Sequence, residues 1–266
     1  MKRTITILAA CSAVLAAAVP TQAASKEPVR ALEAKLAPGH GVRFTGTTTF
    51  GDGTEERPVQ KRKGTFAFGK KGVEAFDVTT ERDQLRERVI KIGGIGHFCD
   101  IDPHGAPKGK IWYRYPRAKF GLDEQFSFYG QVISPAEPAT LSALIENGDL
   151  SADTITGTIT VAELKKVSPW FALSMASELG GGTEISYTLT LTSANLVSRV
   201  ESTYRLPDHR VVHEDDQGMT VHADTRYSGW GDKVSIKAPD PDTVGDKIEG
   251  LPRLPGSYKL RSCQAT

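Results

Sequence analysis

Beyond residue 24 the sequence has no apolar run long enough for a membrane-spanning helix, which needs about 20 such residues. It also lacks a charge excess: 33 Lys and Arg stand against 32 Asp and Glu, a formal net charge of +1. That excludes the strongly basic surface with which nucleic-acid-binding proteins grip phosphate backbones, and no nucleic-acid partner is expected. The basic runs Gln60-Lys61-Arg62-Lys63 and Lys70-Lys71 are short and read as turn and edge charges. Catalytic motifs are missing as well. There is no Gly-x-Ser-x-Gly elbow, and Gly93-Gly94-Ile95-Gly96 lacks the Lys and following helix of a phosphate loop. Paired carboxylates, Glu55-Glu56 and Asp240 with Asp242, stand in turn-forming stretches. The expectation is a non-enzyme with no catalytic residue, no cofactor and no metal.

Cysteine is scarce, with three in 266 residues. Cys11 lies in a segment with a secretory signal's three parts: Lys2-Arg3, the apolar stretch from Ile5 to Val19, and small residues ending at Ala23-Ala24. Removing residues 1–24 takes the formal charge to about −1. A rival reading is that Leu8-Ala9-Ala10-Cys11 resembles a lipobox, which would make Cys11 a lipidated N-terminus. Both readings place the chain outside the cytoplasm, either secreted or on the outer face of the cell membrane. Cys99 and Cys263 remain, and an even pair in a secreted chain suggests a disulfide. In the chain-entropy account so long a loop contributes about 5 kcal/mol. The alternative is two free thiols.

What the sequence has in abundance is alternation. Apolar side chains take every second position in Val42-Arg43-Phe44-Thr45, in Gly157-Thr158-Ile159-Thr160-Val161 and in Glu184-Ile185-Ser186-Tyr187-Thr188-Leu189-Thr190-Leu191-Thr192. Met219, Val221, Ala223 and Tyr227 repeat the pattern, followed by Val234, Ile236 and Ala238. Period two with one polar face predicts half-buried antiparallel strands, about nine to eleven of them, separated by Gly, Pro and Asp turns. Helical periodicity is confined to three places. Pro28 to Leu36 has Val29, Leu32 and Leu36 on one face, and a second helix opens at Ser134-Pro135-Ala136-Glu137 and carries Leu141, Leu144 and Ile145. A third is expected from Ser168-Pro169 through Trp170, Phe171, Leu173, Met175 and Leu179 to Gly180.

The fold class expected is α+β: a single strongly curved antiparallel sheet, an open half-barrel, with about three helices on its concave face. The stretch from Thr225 to Val244 is expected to close that sheet. The domain plan is a signal at 1–24, one domain at 25–238 and an extended tail at 239–266, tethered by the disulfide. So few helices leave part of the apolar face open as a cavity. The candidate lining residues are Leu141, Leu144, Ile145, Trp170, Phe171 and Met175 from the helices. Phe44, Ile159, Tyr187, Leu189 and Val221 come from the sheet. An alternative is that all of them simply pack as core.

The densest set of potential ligands is His97-Phe98-Cys99-Asp100-Ile101-Asp102-Pro103-His104, which could hold zinc or a Cys–His pair. No CxxC, HExxH or second ligand pair accompanies it. The plainer reading is a bridged Cys99 beside a polar loop.

Three local features resemble a known family. An amphipathic stretch from Val29 to Leu36 leads into Val42-Arg43-Phe44-Thr45-Gly46-Thr47. Arg88-Val89-Ile90-Lys91-Ile92-Gly93-Gly94 is followed by Gly109-Lys110-Ile111-Trp112-Tyr113-Arg114. Arg226-Tyr227-Ser228-Gly229-Trp230-Gly231 precedes Val234, Ile236 and Ala238-Pro239. Together they resemble the LppX/LprAFG (LprG-like) group of actinobacterial envelope lipoproteins, whose fold is similar to the lipoprotein carrier LolA. The resemblance implies a protein that binds, and could carry, an acyl lipid or lipoglycan between sheet and helices; a monomer that meets membrane surfaces transiently is expected. The cysteine pair and the stretch from Phe98 to Lys108 depart from the family pattern. Two other functions are compatible with the sequence: an envelope sensor or protein-interaction domain on the same fold, and a small secreted hydrolase or metalloprotein using the His97 to His104 loop.

Overall fold

The computed structural model describes residues 26–82, 85–99, 110–115, 129–207 and 217–246. They form one twelve-stranded sheet. Its first half is a meander of β1 (His40–Gly51), β2 (Glu56–Gly69), β3 (Gly72–Arg82), β4 (Leu85–Ile92), β5 (Ile95–Cys99) and β6 (Trp112–Tyr115). Its second half is a meander of β7 (Gly148–Ser151), β8 (Thr154–Thr160), β9 (Glu184–Leu191), β10 (Val197–Arg205) and β11 (Thr220–Lys233). The halves join where β1 pairs antiparallel with β11. A last short strand, β12 (Val244–Asp246), adds in parallel to β6. The order has two ends, β12 and β7, so the sheet is open.

Twelve strands exceed the nine to eleven expected, because β7 and β12 are short and have no alternating signature. The expectation that 225–244 closes the sheet is corrected: β11 lies at its centre, between β1 and β10. Val234, Ile236 and Ala238 are not in a ladder. Instead the segment leaves β1, with the Val234 amide donating to Gly39 O, and reaches the β6 edge, where the Ile111 amide donates to Thr243 O. Ile236 packs against a small separate cluster of Ile90, Cys99 and Trp112, as do Ile111 and Val244. Sheet structure therefore continues into the stretch after residue 238.

Bulges at Gly41/Arg43, Thr48/Thr49, Ala67/Phe68 and Val197/Arg199 interrupt the registers. An extra residue on one strand bends it and increases twist, which curves the sheet. Side-chain alternation survives: in β9 the residues Ile185, Tyr187, Leu189 and Leu191 are buried and their neighbours are not.

Three helices accompany the sheet: α1 (Glu27–Glu33), α2 (Pro138–Glu146) and α3 (Val161–Val167). The expected third helix is a correction. Residues 168–179 form two 3-10 turns, Phe171–Leu173 and Met175–Glu178, separated by an extended Ser174. The helix comes earlier, at Val161, where the strand was expected to continue. Thr160 caps it: its hydroxyl accepts from the Glu163 amide while the Glu163 carboxylate accepts from the Thr160 amide. This reciprocal cap satisfies two orphan donors and stops β8. The helices, the 3-10 turns and one face of the sheet enclose a single large apolar cluster.

Candidate functional site

On the covered face, one row of cross-strand partners runs Tyr227, Phe44, Gly64, Val78, Val89 and Phe98 across β11 and β1 to β5. Phe44 lies tilted against Phe66, ring centroids 4.8 Å apart. Its ring also occupies the space that a Cβ on Gly64 would need, 2.8 Å from the ring carbon. Ten of the eleven expected lining residues come together here. Phe44, Ile159, Tyr187, Leu189 and Val221 from the sheet and Leu141, Leu144, Ile145, Trp170 and Phe171 from the covering layer share one buried cluster. None is more than 8% exposed. The side chain of Met175 lies outside the described residues. Tyr187 lies over Gly157, and its hydroxyl donates to the Leu144 carbonyl, tying β9 to α2.

Inside this apolar layer is a polar cluster that the sequence did not reveal. Arg62 is expected at an edge but is buried mid-strand in β2, while Lys61 and Lys63 point the other way. Its guanidinium donates to Gln131 Oε1 at 2.8 Å and lies 5.4 Å from the centre of the Trp170 ring. Burial pulls it down to about 9, so it stays protonated at neutral pH. Trp170 Nε1 donates to the Gln131 carbonyl at 2.7 Å. Glu137 accepts from Ser168 Oγ, the Trp170 amide and Thr140 Oγ1. Burial pushes its carboxyl above the ordinary value, and these three donors pull it part of the way back. Gln60 Oε1 and Ser134 Oγ are buried with no hydrogen-bond partner. The one legible signal was alternation itself: Arg62 shares the parity of Gln60, Gly64 and Phe66.

The opposite face is polar and holds two cavities. The larger, about 750 Å³, is a cleft over β11 and β1 to β4 and contains five cations, Arg43, Lys63, Arg86, Arg88 and Arg226, against one acid, Asp77. A neighbouring one of about 330 Å³ shares Thr45, Lys63, Thr79 and Arg226 with it. Arg88 is held bidentate by Asp77, at 2.9 and 2.7 Å, and lies over the Trp112 ring. Leu150 is the one exposed large apolar side chain among the described residues.

The His97 to Cys99 part of the expected ligand loop lies in β5, where His97 and Cys99 are both buried. Burial pulls the His97 imidazole below its ordinary value. Residues 100–104 lie outside the described residues, as does Cys263. Among the described residues no group of three His, Cys, Asp or Glu could hold a metal ion.

No family model and no curated protein matches the chain. Solved structures do resemble it. A LolA superfamily protein from Nitrosomonas europaea is similar over 77% of this chain and 91% of its own, with 9% identity and a TM-score of 0.33. The Mycobacterium tuberculosis lipoprotein LppX is similar over 82% of this chain and all of its own, with 9% identity and a TM-score of 0.30. A DUF1329 family protein from Desulfovibrio piger covers 79% of this chain with 91% of its own, at 10% identity and a TM-score of 0.26.

Proposed function

We propose that the protein is a non-catalytic binder, and carrier, of an acylated lipid or lipoglycan. The observation that carries this is the thinness of the layer over the apolar face. Among the described residues the twelve-stranded sheet is covered by helices of 7, 9 and 7 residues, two 3-10 turns and the buried stretch 129–137. Helices this short have little stability of their own and depend on the sheet they cover. Side-chain bonds such as Tyr187 to Leu144 O and Tyr204 to Tyr129 O hold the layer down. Each such bond contributes about 1 kcal/mol net. An inserted acyl chain gains about 0.8 kcal/mol per buried methylene, so about sixteen carbons outweigh several of them. Displacing the layer exchanges helix–sheet contacts for chain–sheet contacts, and the apolar face stays covered throughout. Gln60 Oε1 and Ser134 Oγ, unpartnered where they are buried, would meet the ligand's ester and hydroxyl groups.

The protein is secreted after removal of residues 1–24, or held outside the membrane through Cys11, and acts as a monomer. One domain begins at residue 25 and includes β12, and the tail that follows is fastened to β5 by a Cys99–Cys263 bridge. Intact mass before and after reductant tests the bridge. Native mass spectrometry followed by organic extraction tests the ligand. A co-purifying or added acyl lipid that leaves only on extraction supports the reading. A clean apo mass that takes up no added lipid overturns it.

A further inference from the structure

We propose that the cleft on the polar face is a binding site for a phosphate-bearing ligand. It lies across the sheet from the acyl-binding layer and does not depend on it. Pairing aligns Arg226, Thr45, Lys63, Thr79 and Arg88 in one straight row over five strands, cation and threonine in turn. Strands lie about 4.8 Å apart, so successive cations in the row are about 10 Å apart with a hydroxyl between them. The row lies in a cleft of about 750 Å³, a volume suited to a small ligand.

The charges in the row are unequally compensated. Arg88 is neutralised by Asp77. Asp224 is engaged by Arg199 through two bonds of 2.9 Å, which leaves Arg226 at 3.7 Å and 67% exposed. Lys63 makes no ion pair and no side-chain hydrogen bond among the described residues. Arg199 is also paired with Glu201 at 2.9 Å, so Arg226 keeps a long, exposed pairing with Asp224, while Lys63, on the other side of Thr45, has no counter-charge among the described residues. Arg43, on the same strand as Thr45 and the same face, adds a guanidinium oriented by Asp232 at 2.8 Å. A tetrahedral anion over Thr45 would take an ammonium, a guanidinium fork and a hydroxyl from different directions. That multidirectional donor set fits phosphate better than a planar carboxylate.

The test is calorimetry of the secreted protein with glycerol phosphate, alongside a Lys63→Ala/Arg226→Ala double variant. Both side chains are exposed, so the variant is expected to fold, as circular dichroism would show. Saturable binding that falls tenfold or more in the double variant is the expected result. No saturable binding, or binding that the double variant retains, overturns the proposal. Co-sedimentation with phosphatidylglycerol and phosphatidylcholine vesicles separates the sources of the phosphate. Variant-sensitive capture by phosphatidylglycerol alone places the phosphate on a lipid headgroup. Glycerol phosphate binding without capture places it on a free molecule, and both results uphold the site. Failure here leaves the organic-extraction result untouched, so the two proposals fall separately.

Discussion

The two faces of the central strands differ by one residue of register and by almost everything else. Phe44, Gly64, Val78 and Val89 form a dry row under the helical layer. One position along, Thr45, Lys63, Thr79 and Arg88 form a wet row in an open cleft. On the dry side packing decides stability, and a missing group leaves a cavity or an orphaned dipole. On the wet side water screens each charge, so those side chains are free to be selected for what they bind. The lesson is that one sheet separates a stability problem from a recognition problem simply by its pleat.

The contrast can be broken hardest at Trp170. Its ring packs edge-on against Phe66 and Phe76 at 5.0 and 5.5 Å and its N–H is bonded to Gln131. Trp170→Ala should cost about 3–5 kcal/mol, read from urea unfolding. Tyr187→Phe should cost about 1–3 kcal/mol by the same assay, because the Leu144 carbonyl loses its buried donor. A value near zero would show that α2 is not held down by this bond.

Glu137 sharpens the comparison through pH. Its folded carboxyl titrates above the ordinary value of 4.5, with burial as the largest cause. The folded state therefore holds its proton more tightly than the unfolded chain. The stability it contributes is fully present below the unfolded value and lost as pH rises through the folded one. Glu137→Gln should remove that decline and flatten the urea midpoint as pH rises above 4.5. An unchanged slope would place the titrating group elsewhere. The smallest effect is expected on the wet side, where Lys63→Ala should shift stability by no more than about 0.5 kcal/mol. A larger loss would mean that the cleft is structural after all.

The strands, and the burial of Ile185, Tyr187 and Leu189, were legible because alternation is a local property of the chain. So was the inward face of α2 with Leu141, Leu144 and Ile145. Helix α3 was not, although its signal was present. Thr160 and Glu163 form a capping box, but Ile159 and Val161 continue the period of two into it. Residues 168–179 read as one helix because Ser168-Pro169 resembles a helix start. The extended backbone of Ser174 instead splits them into two turns. Arg62 was obscured by its neighbours: three basic residues in a row suggest a surface, and only β2's pleat shows that the middle one is buried.

The sequence by itself determined that this chain folds as a one-sided antiparallel sheet with little helix, since period-two alternation with β-branched residues suits no other regular structure. The tertiary structure alone decided that β11 is central, that Glu137 and Arg62 are buried, and that three cations and two threonines align across five strands. Those facts depend on register and on pairings between residues far apart in the chain, such as Arg43 and Asp232, 189 positions apart. Nothing within a single strand encodes its register, and a slip of one residue would exchange the dry row for the wet one.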